Sequence, residues 1–240
     1  MTHTVHPYAH RLGIIRDWKS RWFTGDKRAY RENIKVDETI RRFLAKRLRG
    51  TYTSNVEIER SGGELRVILS TARPGLVIGR SGENAAALRA ELSSTIRKAS
   101  PDALPAGKQA KLDIVEVRQP ETDAQIVASM IIEGLEKRMP FRRVLKQTVE
   151  KVIAAREVEG VRIALSGRLG GADMSRKEEA KKGRIPLQTF RADIDFAHEQ
   201  AYMPYGVIGI KVWIYRGNVY QDKKTPVRLP ERLPASRQAA

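Results

Sequence analysis

Val77-Ile78-Gly79-Arg80-Ser81-Gly82-Glu83 sets a Gly-x-x-Gly step, with one cation inside it, directly ahead of a strongly periodic segment. Two glycines let a backbone pass close to another surface. A helix starting behind them turns free amide N–H groups and a partial positive charge toward the loop, and a nucleic-acid phosphate is the natural occupant. Arg80 adds a charge-assisted phosphate contact. Gly-x-x-Gly alone also spells many tight turns, so its context has to carry the argument. A second basic group lies in Phe141-Arg142-Arg143-Val144-Leu145-Lys146. At 100° per residue, Arg142, Lys146 and Arg143 fall at about 0°, 40° and 100° of one helix, a single narrow arc. A solvated basic face and an anion site both remain open for it. A third group is Ser166-Gly167-Arg168-Leu169-Gly170-Gly171, followed by Ser175-Arg176-Lys177-Glu178-Glu179-Ala180-Lys181-Lys182-Gly183-Arg184, which reads either as RNA contact or as a flexible charged hairpin loop.

Other constellations point away from catalysis. Asp193 and Asp195 share a strand face and could serve a metal or a proton transfer. Arg191 on that face favours charge pairing instead. His3, His6 and His10 have no acidic or sulfur partner nearby, so neither metal nor cofactor is expected. There is no Gly-x-x-x-x-Gly-Lys-Ser/Thr loop, no His-Glu-x-x-His pair and no nucleophile setting, which argues against an enzyme acting on a small-molecule substrate.

Composition agrees with a polyanion partner. The 240 residues carry 45 Lys and Arg against 28 Asp and Glu, a net charge of +17, which concentrates nucleic acid near the surface. The hydrophobic fraction of 41% fits a folded chain of one or two domains. Without cysteines there are no disulfides, thiolate nucleophiles or cysteine zinc sites. The lack of an 18-residue apolar run and the polar N-terminus lead to the expectation of a cytoplasmic protein with no membrane partner.

The elements that must position these groups form two units. Residues 1–36 read as a basic arm, extended with a short helical piece and poorly ordered without a partner. Asp37 is expected to cap a helix with a stripe of Ile40, Phe43, Leu44 and Leu48. Val56 to Glu59 reads as a strand, Ser61-Gly62-Gly63 as a turn and Leu65 to Leu69 as the returning strand. A short helical turn then leads to the glycine loop, and Leu88, Leu92 and Ile96 mark the next helix. Residues 100–110 read as a loop, and Leu112 to Val117 as a third strand. This order, helix, strand, strand, short helix, loop, helix, strand, is that of a type II KH domain over residues 37–119. In such domains the Gly-x-x-Gly loop clamps a nucleotide backbone. From Pro120 a second domain (120–217) is expected. Thr122 with Gln125 forms its capping box. Two helices follow, the second opened by Pro140, then strands at Val161–Leu165, about Leu187–Phe196 and Val207–Tyr215. Phe190, Ala192, Ile194 and Phe196 are expected on one face, and Ile208, Ile210, Val212 and Ile214 on another. Residues 218–240 read as a basic tail. The fold class is α+β, with two domains.

Seven segments in order along the chain resemble a known family. They are Val5-His6-Pro7, Arg11 to Ile14, Thr71 to Gly79, Phe141-Arg142-Arg143, Ser166 to Gly171, Arg191 to Asp195 and Tyr205 to Ile214. Together they are similar to the bacterial small-subunit ribosomal protein three family. The resemblance implies a structural protein of the subunit head that binds small-subunit rRNA and touches neighbouring head proteins. It also implies a place lining the channel through which mRNA enters, where Arg142, Arg143 and Lys146 meet mRNA and assist its passive unwinding. Further RNA contacts are expected at Arg11, Arg73, Arg168, Arg176 and Lys177. Two rivals remain: a free KH-type regulator, and a nucleic-acid enzyme such as a KH-linked GTPase or a DNA-lesion lyase.

Overall fold

The computed structural model describes residues 5–61, 64–100 and 109–220. The turn expected at Gly62-Gly63, most of the 100–110 loop, His3 and the tail from residue 221 lie outside the described residues.

The first unit is built on an alternating hairpin. β2 (Thr53–Ser61) pairs antiparallel with β3 (Glu64–Thr71), which pairs parallel with β4 (Lys111–Glu116). Leu65, Val67 and Leu69 point to one side of β3 and are buried there. Two helices cover that side. α2 (Lys27–Arg47) contributes Val36, Ile40 and Leu44, spaced four residues apart, and α4 (Glu83–Ala99) contributes Leu88, Leu92 and Ile96. The short helix α3 (Pro74–Ile78) precedes the glycine loop. The order α2-β2-β3-α3-α4-β4 is the type II KH order.

α2 begins eleven residues earlier than the sequence suggests. Its N-cap is Asp26, whose carboxylate accepts the Arg28 and Ala29 N–H groups. Asp37, the expected cap, lies inside the helix and is buried; the Trp22 indole donates to it at 2.8 Å, and Arg60 pairs with it at 2.6 Å. Both carboxylate oxygens are thereby satisfied, which lets an acidic side chain sit inside. The boundary expected between residues 36 and 37 therefore falls within a helix.

The second unit is a four-stranded antiparallel sheet in the order β6-β5-β8-β7, formed by β5 (Gly160–Gly167), β6 (Arg176–Gly183), β7 (Ala192–Met203) and β8 (Gly206–Asn218). α5 (Ala124–Glu136) and α6 (Phe141–Ala154) pack on one face. Ile208, Ile210, Val212 and Ile214 of β8 all point into that layer, as their alternation requires. α5 is capped by Asp123, which accepts the Gln125 and Ile126 N–H groups, and not by Thr122, whose hydroxyl donates to the Gln119 carbonyl. β7 starts later than expected. Phe190 precedes it and is half exposed, while Ala192 and Ile194 join Trp213 and Tyr215 on the face away from the helices.

That second face is where the arm goes. α1 (Pro7–Arg11) packs against β7, with His6 edge-on to Phe196 at 4.7 Å and His10 against Phe190 at 4.2 Å. Farther on, β1 (Ser20–Arg21) pairs parallel with β2 of the first unit. Residues 5–21 thus touch both units, contacts that the reading of a loose extended arm does not include.

Candidate nucleic-acid interface

The glycine loop has the backbone its sequence demands. Gly79 ends α3 at φ +73°, Ser81 follows at φ +54° and Gly82 at φ +81°. A Cβ on Gly79 would lie 2.6 Å from the Asn84 side chain, so only glycine fits there. Gly82 caps α4 without any side-chain hydrogen bond to the first-turn amides. Of the first-turn N–H groups, that of Glu83 is taken by the Arg80 carbonyl within the loop, and Gly82 offers no side-chain acceptor to the others. Arg80 and Ser81 are exposed, and among the described residues no carboxylate lies within ion-pair range of Arg80. Leu76, Ile78 and Val115 leave apolar surface exposed on α3 and β4. A glycine-permitted backbone turn, one exposed cation and nearby exposed apolar side chains suit a single-stranded nucleotide backbone with unstacked bases.

The second cluster is assembled from parts far apart in sequence. Val144, Leu145, Thr148, Val149 and Val152 bury one side of α6, which leaves Arg142, Arg143 and Lys146 on its exposed side. Arg143 and Lys146 have no carboxylate within ion-pair range among the described residues. Arg142 is held: Glu178 of β6 accepts its Nη2 at 3.2 Å and its Nε at 3.3 Å. That hydrogen bond keeps the Glu178 carboxyl below the usual carboxylate range and raises the Arg142 pKa. Arg176 reaches the same carboxylate at 3.5 Å, and the Phe141 ring lies 5.7 Å from the Arg142 guanidinium and 5.3 Å from that of Arg176.

Segment 176–183 is therefore an edge strand and not a flexible loop. Its charged sequence hides a period of two. Arg176 and Glu178 face α6, with Ala180 packed on the core; Glu179, one residue out of phase, pairs with Arg162 at 2.5 Å. Lys177 shares the Glu179 face and so stands apart from the α6 cluster. The one sequence signal for this strand is its glycines. A Cβ on Gly160 would sit 2.1 Å from the Arg184 carbonyl oxygen, and one on Gly183 would sit 2.2 Å from that of Glu159.

The remaining expected contacts divide. Arg73 is exposed, stacked over Tyr52 at 4.2 Å, and free of carboxylates among the described residues. Arg168 uses its donors on its own loop, at Ala172 O (2.9 Å) and Asp173 (2.9 Å), and on the β7–β8 turn, at Tyr205 O (3.2 Å). Arg11 is a correction. Its side chain is fully buried and donates to the carbonyls of Ala192 at 2.6 Å and of Pro7, Leu187 and Thr189 at 3.0 Å each. An RNA phosphate cannot reach it. Asp193 and Asp195 are paired, but by Arg16 and Arg216 and not by Arg191, which lies over Tyr220. Among the described residues no group of three His, Asp or Glu side chains could hold a metal ion.

Two sequence profiles match the chain: a KH domain over residues 39–122 and the ribosomal protein S3 C-terminal domain over residues 131–214. Full-length relatives agree. The chain is 46% identical over 223 residues to small ribosomal subunit protein uS3 of Caldicellulosiruptor bescii, covering 93% of this chain and 96% of that one. The chain belongs to the uS3 family. The uS3 of Clostridium tetani is 42% identical over 224 residues, again covering 93% and 96%. That of Shewanella amazonensis is 41% identical over 232 residues, covering 97% and 96%. Membership in the uS3 family makes this a structural component of the small ribosomal subunit and not an enzyme. Both basic clusters fall within the residues that the two profiles match.

Proposed function

We propose that this uS3-family chain binds rRNA in the head of the cytoplasmic small subunit and lines the path by which mRNA enters, where it orients the strand and assists passive unwinding. The KH loop, with exposed Arg80 ahead of a helix N-terminus that has no side-chain cap, takes rRNA phosphates. Arg73 adds a stacked cation near the start of α3. The α6 face takes mRNA, and neighbouring head proteins pack around both units. The observation that carries the mRNA role is the α6 cluster. Arg143 and Lys146 project from a helix anchored by five buried side chains and have no acidic partner among the described residues. Their charge is therefore available to a passing phosphate backbone, at a fixed place on a rigid element. The chain shows no phosphate-loop motif, so the energy for unwinding comes from the translocating ribosome.

The test is the triple substitution Arg142→Ala, Arg143→Ala, Lys146→Ala. All three side chains are exposed on a helix that alanine suits, so incorporation into small subunits should persist. Translation through a hairpin placed downstream in the mRNA should slow relative to an unstructured message. Equal rates through the hairpin for variant and parent would sink this role for α6. Separately, Arg80→Asp with Ser81→Asp should weaken rRNA binding; unchanged affinity would remove the KH loop from the interface.

A further inference from the structure

Glu178 is out of place in a basic cluster, and its geometry explains what it does there. Its Oε1 lies 3.2 Å from Arg142 Nη2 and 3.5 Å from Arg176 Nε, and its Oε2 lies 3.3 Å from Arg142 Nε. One carboxylate thus bridges two guanidinium groups, with the Phe141 ring within 6 Å of each. Guanidinium groups bind carboxylate and phosphate through the same planar fork. We propose that Arg142 and Arg176 together form one RNA phosphate site, and that Glu178 fills this site in the free protein as an internal stand-in. This rests on the reading of α6 as an RNA face and adds to it a second arginine and a gate.

The consequence is a graded surface. Arg143 and Lys146 meet RNA without displacing anything. Arg142 and Arg176 meet it only when Glu178 swings out to solvent, so one anion replaces another and the net gain is small. Such a contact holds a phosphate weakly and releases it readily, which suits a strand that must keep moving. Glu178 is free to leave because it lies on the edge strand β6 and its side chain is already a quarter exposed.

The test uses the full-length chain and a short single-stranded uridine oligomer, with affinity measured across a salt series. Glu178→Gln removes the competing charge but keeps the shape. It should bind a few-fold tighter, and the slope of log K against log salt should steepen by about 0.7, one more phosphate contact on a single strand. Glu179→Gln is the control, because that carboxylate neighbours Glu178 in sequence but pairs with Arg162 on the other face. It should leave the slope unchanged. Arg176→Ala should weaken binding more in the Glu178→Gln background than in the parent. Equal effects of the two glutamine variants would reduce the result to bulk charge and overturn the proposal. Weaker binding by Glu178→Gln would overturn it as well, and would make Glu178 a support for Arg142. Arg143→Ala with Lys146→Ala separates the two levels. If that pair leaves affinity unchanged, the RNA reading of α6 fails and the gate with it; if the pair weakens binding while the slope is indifferent to Glu178, the gate alone fails.

Discussion

Replacing Arg11 with alanine should detach the N-terminal arm without melting either domain. The Arg11 guanidinium is buried and makes four hydrogen bonds of 3.0 Å or less, to the carbonyls of Ala192, Pro7, Leu187 and Thr189. No carboxylate pairs with it among the described residues, and burial lowers its pKa from the usual arginine value. Hydrogen bonds to a charged group each contribute roughly 1.5–3 kcal/mol, and the desolvation of an unpaired cation offsets a large part of that sum. Water entering the vacated site would satisfy some of the freed carbonyls. A net loss of about 3 kcal/mol for docking of the arm follows, or roughly a hundredfold in its opening equilibrium. Hydrogen exchange reads this directly. The Ile15 and Arg16 amides both donate to the Arg11 carbonyl, and Gly13 donates to that of Arg16, so all three depend on the docked turn. Their exchange should accelerate about a hundredfold in Arg11→Ala, in line with the loss above. Arg11→Lys should recover part of the protection, because an ammonium offers three donors without the planar fork. The cores under α2 and α5 do not include Arg11, so global melting should move far less. If exchange at these amides is unchanged while RNA affinity falls, Arg11 lies at a surface and the argument is wrong.

The other expectations concern the loop and the junction between the units. Gly82→Ala should cost about 1–2 kcal/mol for a left-handed residue, whereas Gly79→Ala should cost more because its Cβ also meets Asn84. Denaturant unfolding of the two variants checks the order, and equal costs would refute it. Asp123 is held above the usual carboxylate range, first by burial and then by the Asp195 carboxylate. Its folded form binds the proton more tightly than its unfolded form, so this group favours folding least once pH has risen through the raised value. Asp123→Asn keeps the cap acceptor and removes the charge. Its melting temperature should exceed the parent's by roughly 2–4 °C at pH 8, the equivalent of about 1 kcal/mol, and the gap should close as pH falls toward 4. A gap that widens with acid would show the carboxylate to be stabilising.

Legibility of the sequence followed the apolar pattern. The stripe of Leu88, Leu92 and Ile96 and the alternation of Ile208 to Ile214 were readable because each element buries one face, and burial enforces the period. β6 was not readable, because an edge strand with solvent on one side needs only Ala180 as its apolar anchor, and charges fill the rest. The N-terminal end of α2 was hidden for a related reason. Its first two turns are mostly polar, and Asp37 inside it imitates a cap, while the true cap at Asp26 stands beside Gly25 in a segment without periodicity. Of the candidate site, the glycine loop and the α6 arc were local features and so could be read from spacing. Glu178 and the burial of Arg11 depend on partners 36 and up to 181 residues away, which no local pattern carries.

The arm also imposes an order in time. It leaves the synthesising ribosome ahead of both units, yet its two ends find their seats at very different moments. β1 needs only β2, which ends at Ser61. Arg11 must wait for carbonyls 175 to 181 residues downstream. At 5–20 residues per second that delay is on the order of ten seconds, ample for a domain of KH size to fold in the meantime. A segment made before either unit is among the last to be secured, and its closing reports that the sheet of the second unit has been completed.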